Sequence, residues 1–303
     1  MAETNSKLID ITRLTEYDAK IKAWAKELDE PIDQEFTTNN TVGALESGTV
    51  ITRDMTLAKL ITDMLVSVKD ATLKSKPTCA LTNSGTSTGN KEVGTTIETT
   101  LSCKYSDGSF NSYKANSNTE TEVIAAGCEL AGTKYYKNDV EYNEASFVLG
   151  NEIVQLVGKC TYKASTNKAK KSDHTDSALS ISAGTAISNK LSYTGLYRYY
   201  VNQYDSIPET IDRTVLMESG GDNDIYSGGK SVTYKLTKRC AIVAVIGTVS
   251  KIIDTTHLNN DITSSFIKRT GTIADAAGND VNYNIYVFEP AKNLDGTITI
   301  TFN

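Results

Sequence analysis

A chain of 303 residues is long enough for two domains of ordinary size and a short appendage. With 39% hydrophobic and 22% charged residues it can bury packed cores, which sets disorder aside. The net charge of −6 argues against a nucleic-acid partner, and the longest apolar run, CAIVAVIG at 240–247, is too short to span a bilayer, so no membrane partner is expected.

The opening MAETNSKLID lacks a basic stretch followed by an apolar run, so the expectation is a chain made in the cytoplasm. Leu14, Tyr17, Ile21, Trp24 and Leu28 then recur at steps of three and four residues, an apolar stripe on one face of a helix. Thr12 or Thr15 caps it, Glu16–Lys20 and Asp18–Lys22 pair on the wet side, and Pro31 ends it. Burying five such side chains contributes about 10 kcal/mol. Ordering some 18 residues costs on the order of 1–2 kcal/mol each. The stripe therefore needs a partner surface: sister copies, another protein, or the chain's own body.

Between Pro31 and Pro77 a turn-rich stretch (TTNNTVGALESGT, 37–49) precedes a second helix, capped by Asp54 or Thr56. Leu57, Leu60, Ile61, Met64, Leu65 and Val68 give it a wide apolar face. This face is the candidate oligomerisation surface, most simply of a trimer; the bland alternative is a plug for the first β domain.

From Pro77 the pattern turns to strands rich in Thr, Ser, Asn and Tyr. Runs 96–105, 133–136, 153–162 and 178–187 read as strands, Asp107-Gly108 is a tight-turn signal, and 147–157 is ambiguous. Their spacing predicts an immunoglobulin-like sandwich. Beyond Tyr193 a short helix is expected over 207–217, with Pro208 in its first turn, then strands at 232–236, 240–246, 281–288 and 297–302. The expected fold is mainly β: an N-terminal helical stalk, then an immunoglobulin-like β-sandwich and a second C-terminal β domain. The boundaries drawn are 1–31, 32–76, 77–192 and 193–303.

Few residues point to chemistry. Gly228-Gly229-Lys230-Ser231 mimics the end of a phosphate-binding loop, but Asp224 stands where that motif needs Gly and a strand follows; a hairpin loop is expected. Asp222 and Asp224 lack the rest of a calcium loop and read as a solvated turn. His174 and His257 sit in polar stretches without neighbouring ligands, and neither HExxH nor GxSxG occurs. Lys159, Lys163, Lys168, Lys170 and Lys171 read as a solvated loop. Tyr193, Tyr197, Tyr199, Tyr200 and Tyr204 are core or interface aromatics, with sugar stacking as the sharper alternative. The five cysteines, widely spaced and without CxxC, read as small buried thiols, with Cys79 and Cys103 able to face each other across a sandwich. No catalytic residue, cofactor or metal site is assigned, and no enzyme is expected.

LIDITRLTEYDAKIKAW (8–24) resembles the N-terminal segment of fibre-like virion structural proteins of crAss-like and other Bacteroidales bacteriophages. VGALESGTVITRDMTLAKLITDML (42–65) leading into PTCALT (77–82) is similar to their linker and helix; YSDGSF (105–110), AAGCEL (125–130) and LSYTGLYRYY (191–200) are similar to their immunoglobulin-like domain. AIVAVIG, IIDTTHLNNDITSSF and NYNIYVFEPA resemble their C-terminal β domain. The resemblance implies a non-enzymatic virion protein made in the host cytoplasm, a homotrimer, most simply a capsid-attached head fibre. Leu8, Ile9, Leu14, Tyr17, Ile21, Trp24 and Leu28 would then attach it to capsid or other virion proteins. The alternative is a tail or baseplate fibre that binds a host surface glycan.

Overall fold

A computed structural model describes residues 11–28, 35–39, 45, 48–65, 68–226, 228–290 and 296–302. The chain is mainly β. Its elements begin with α1 (Ile11–Leu28), β1 (Phe36–Thr37), β2 (Val50–Ile51), α2 (Leu57–Leu65), β3 (Thr72–Ser75), β4 (Thr78–Asn83), β5 (Gly89–Glu92), β6 (Thr96–Glu98) and β7 (Leu101–Ser106). There follow β8 (Ser109–Tyr113), β9 (Thr121–Ala125), β10 (Leu130–Lys137), β11 (Val140–Glu141), β12 (Ser146–Val148), β13 (Ile153–Tyr162), β14 (Gly184–Leu196) and β15 (Arg198–Tyr204). The last are α3 (Arg213–Leu216), β16 (Asp222–Ile225), β17 (Ser231–Leu236), β18 (Cys240–Val245), β19 (Val249–Asp254), β20 (Asn260–Asp261), β21 (Ile267–Ala274), β22 (Asp280–Phe288) and β23 (Gly296–Phe302).

Contacts group the described residues into two units. The first draws on Met1–Thr78, Tyr105–Gly132 and Thr161–Ala186, the second on Cys79–Lys104, Thr133–Cys160 and Ile187–Asn303. Each is thus assembled from separated segments, where the sequence reading drew linear boundaries.

In the first unit, β3, β8 and β9 form an antiparallel sheet over a small core of Ala71, Phe110, Ala126, Cys128, Ala169 and Ile181. The Asp107-Gly108 step is a corner rather than a hairpin, because β7 pairs with β4 while β8 pairs with β3 and β9. The Asp107 carboxylate accepts the backbone N–H groups of Gly127 and Cys128 at 2.7 and 3.0 Å, which fixes that corner. Residues 178–183, expected in a strand, lie outside the ladder. There Ile181 exchanges bonds with Ser165, its carbonyl taking the Ser165 N–H and its N–H meeting the Ser165 hydroxyl. A side-chain hydroxyl replaces a ladder partner, so β14 starts only at Gly184.

The second unit holds three cores. Leu81, Ile97, Tyr142, Phe147, Leu149, Val154, Leu156 and Tyr193 make the first. The expected strand over 96–105 breaks at Thr99, whose hydroxyl donates to the Glu144 carbonyl at 2.7 Å; β6 goes to β12 and β7 to β4. The ambiguous stretch 147–157 resolves into β12, a turn at Gly150 and β13. Beyond it, the sheet β16-β15-β18-β22-β21 is covered on both faces. Ala241, Val243, Val245, Tyr286 and Phe288 face the sheet β17-β23-β19-β20, while Ile242, Ala244, Ile285 and Val287 pack with Leu216 of α3 on the other side. This double burial explains why CAIVAVIG is an unbroken apolar run, and β18 is buried along its whole length. Helix α3 is shorter than expected. Asp212 caps it, its carboxylate accepting the Val215 N–H at 2.9 Å, and Pro208 lies outside.

Close approaches need glycine at particular points. A Cβ on Gly195 of β14 would stand 1.8 Å from the Gly150 carbonyl oxygen, so no other residue fits there without moving backbone.

Glu92 at the end of β5 lies between two guanidinium groups. Arg213 makes a bidentate pair with it, one arm at 2.9 Å, and Arg198 adds a bond at 3.1 Å. Burial works against its ionisation, but the bonds from Arg213 and Arg198 win and hold its carboxyl below the ordinary range.

Candidate assembly surface

Helix α2 begins where Thr56 accepts the Lys59 N–H on its hydroxyl at 3.2 Å, which selects Thr56 over Asp54 as the cap. Asp54 instead accepts from the Thr52 hydroxyl in the preceding turn. Lys59 and Asp63 pair at 2.9 Å on the wet side. One apolar residue of the helix, Leu60, turns inward onto Leu45, Ile51 and Met55. The rest of the stripe stays open: Leu57 is 36% exposed, Ile61 38%, Met64 46% and Leu65 78%. Val68, past the helix end, is 41% exposed. A plug for a β domain would bury this face, whereas among the described residues Leu60 is the part of it that enters the chain's own core.

Leu57, Ile61 and Met64 step by four and three residues along α2, the spacing by which like helices interlock.

Of the expected attachment residues, Leu8 and Ile9 lie outside the described residues. Leu14, Tyr17, Ile21, Trp24 and Leu28 fall within α1, and Thr12 and Thr15 lie inside it rather than at its start. The side chains of Leu14, Tyr17, Trp24 and Leu28 are likewise outside the described set. Ile21 is 57% exposed, and Asp18–Lys22 closes at 2.7 Å beside it.

Other candidates are drawn into structure. Lys230 of the GGKS segment pairs with Asp224 at 3.0 Å and lies 4.7 Å from the centre of the Tyr199 ring. The segment is no hairpin, since β16 and β17 belong to different sheets, and no helix follows Ser231 to receive a phosphate. Asp222 and Asp224 lie in strand β16, not in a turn, and Asp222 accepts the Tyr199 hydroxyl at 3.0 Å. Tyr193, Tyr199, Tyr200 and Tyr204 are buried, which removes them as sugar-stacking platforms; the Tyr193 hydroxyl donates to the Thr86 carbonyl. Lys163 and Lys170 are paired with Glu129 and Asp176, and Lys159, on strand β13, stacks over Tyr136 at 4.0 Å.

His257 donates from Nδ1 to Asp254 at 2.8 Å. Burial disfavours the Asp254 charge, yet bonds from His257 and from the backbone N–H groups of His257 and Thr256 keep its carboxyl low. The pair closes a turn that continues into left-handed Leu258 and Asn259, at φ 63° and 54°.

The Glu92–Arg198–Arg213 cluster had no local signal in the sequence, because Glu92 is more than a hundred residues from either arginine. No protein-family model, curated protein or solved structure matches this chain.

Proposed function

We propose that this chain is a bacteriophage virion structural protein of the fibre type, most simply a head fibre on the capsid. Its stalk would be α1 and the segment around α2, and its projecting body an immunoglobulin-like sandwich and a further β domain. The observation that carries this reading is the open seam of Leu57, Ile61 and Met64 on α2, which bundling with two sister copies would cover. The exposed Ile21 supports a second contact surface on α1, which we assign to a capsid or neighbouring virion protein.

Particles assembled with a chain lacking residues 1–30 test the attachment role. They are expected to lose the protein while the isolated truncated chain keeps its β-sheet circular dichroism. Undiminished incorporation of a folded truncated chain refutes it. Labelled particles in the electron microscope then separate the capsid from the tail.

A further inference from the structure

Three thiols that are far apart in sequence come together within the second unit. The Sγ atoms of Cys79, Cys103 and Cys160 all lie within 4.8 Å of one another, and Cys79 and Cys160 approach to 2.9 Å. Cys79 and Cys103 belong to the paired strands β4 and β7, and Cys160 to β13 of the five-stranded sheet. Cys160 thus joins Cys79 and Cys103, the two expected to be able to face each other. Cys79 and Cys160 are buried and Cys103 is half-buried. Room for the cluster is built in. A Cβ on Gly158 of β13 would stand 2.1 Å from the Cys103 sulfur, so that sulfur occupies space a side chain would otherwise fill. The Thr133 hydroxyl lies 3.7 Å from Cys160 Sγ, placed to donate to a thiolate.

We infer that Cys79, Cys103 and Cys160 form a binding site for a soft divalent cation of the zinc type, held by three thiolates. Thiolates select thiophilic metals over hard cations such as magnesium or calcium. A metal–sulfur bond of about 2.3 Å in tetrahedral geometry sets sulfurs about 3.8 Å apart. Reaching that spacing requires Cys79 and Cys160 to separate by about 0.9 Å from their present approach, with all three sulfurs already within 4.8 Å of one another. Charge decides between cations. Three thiolates leave a divalent ion with a net charge of −1 but a monovalent one with −2, and a buried site penalises the larger charge. The fourth position falls to water, which can approach past half-buried Cys103. On binding, each S–H bond breaks as a sulfur–metal bond forms; three protons pass to solvent and no electrons are transferred. The cation would join the β4–β7 pair to β13, so its binding energy adds to folding stability.

The test is titration of the full, reduced chain with Co²⁺ as a spectroscopic probe, followed by displacement with Zn²⁺. One equivalent is expected to produce thiolate-to-cobalt charge-transfer absorption, which zinc abolishes, and zinc is expected to raise the melting temperature. Cys103→Ala removes a ligand, while Gly158→Ala keeps all three thiols but displaces Cys103. Both are expected to weaken cobalt binding by at least the ~100-fold that loss of an outer-shell partner can cost. Absence of the band in the reduced wild-type chain overturns the site. So does unchanged affinity in Cys103→Ala.

Discussion

Ile61→Asp puts a carboxylate in the middle of the α2 seam, between Leu57 and Met64. In the single chain Ile61 is 38% exposed, so losing its covered remainder should cost folding about 1.5 kcal/mol, a loss circular dichroism can follow. Association carries a further loss. Covering the exposed surface is worth about 1 kcal/mol per copy, at about 2.5 kcal/mol for a fully buried isoleucine. Three copies lose it together, so a trimer weakens by about 3 kcal/mol, or roughly 100-fold. Desolvating three like charges near one axis adds to that loss. The four open residues of α2 together expose about two side chains' worth of apolar surface, worth about 3–6 kcal/mol per copy. That gain is comparable to the entropy cost of association, about 4–15 kcal/mol, so a single charge is enough to tip the balance. Light scattering coupled to size exclusion reads the mass across a dilution series, with circular dichroism as the folding control. A wild-type chain that stays monomeric at its highest soluble concentration refutes the reasoning, as does an Ile61→Asp chain that trimerises equally well. Leu60→Ala is the contrasting control, since Leu60 is buried and its loss should cost about 2–4 kcal/mol of local stability.

Glu92→Gln should destabilise the second unit by about 3 kcal/mol at neutral pH, because it leaves Arg198 and Arg213 without their counter-charge. Since folding lowers the Glu92 pKa, its contribution is complete above the unfolded value of 4.5 and fades as the pH falls through the lower folded one. Urea unfolding against pH should therefore show wild type and variant converging in acid; a gap that persists there would contradict the ion-pair account. Gly195→Ala should cost more than about 3 kcal/mol by thermal melting, because its Cβ meets the Gly150 carbonyl, and a near-wild-type melt would refute that clash. Lys230→Ala should change stability by about 1 kcal/mol or less, with nucleotide binding absent before and after by calorimetry. Measurable ATP binding lost in the variant would revive the phosphate-loop reading.

The parts of the fold visible in the sequence were those governed by local pattern. The strand over Ile153–Tyr162 and the buried run at Cys240–Val245 follow from apolar spacing and length alone. The misreadings arose where a distant partner decides. Thr96–Tyr105 alternates as one strand should, but the Thr99 hydroxyl reaches Glu144 and sends its halves to different partners. Residues 178–183 have strand composition, yet Ile181 bonds to Ser165 and the Leu179 N–H to the Ser177 hydroxyl. The α2 stripe was legible as a periodicity; that its Leu60 edge would turn inward depended on Leu45 and Ile51. The thiol cluster was invisible because Cys79 and Cys160 are 81 residues apart and sequence spacing does not register such an encounter.

Strand β23 lies between β17 and β19, strands that end some forty residues or more before it. During synthesis those two must wait with open edges, carrying Val232, Tyr234, Leu236, Val249 and Ile252 without the strand that joins them. This sheet thus has a vacant slot until its last member arrives, and the slot has a known register, from Ser231 opposite Thr301 to Leu236 opposite Gly296. A chain shortened before residue 296 is then an acceptor for a synthetic strand of sequence GTITITF, and equally for the β23 of a neighbouring copy.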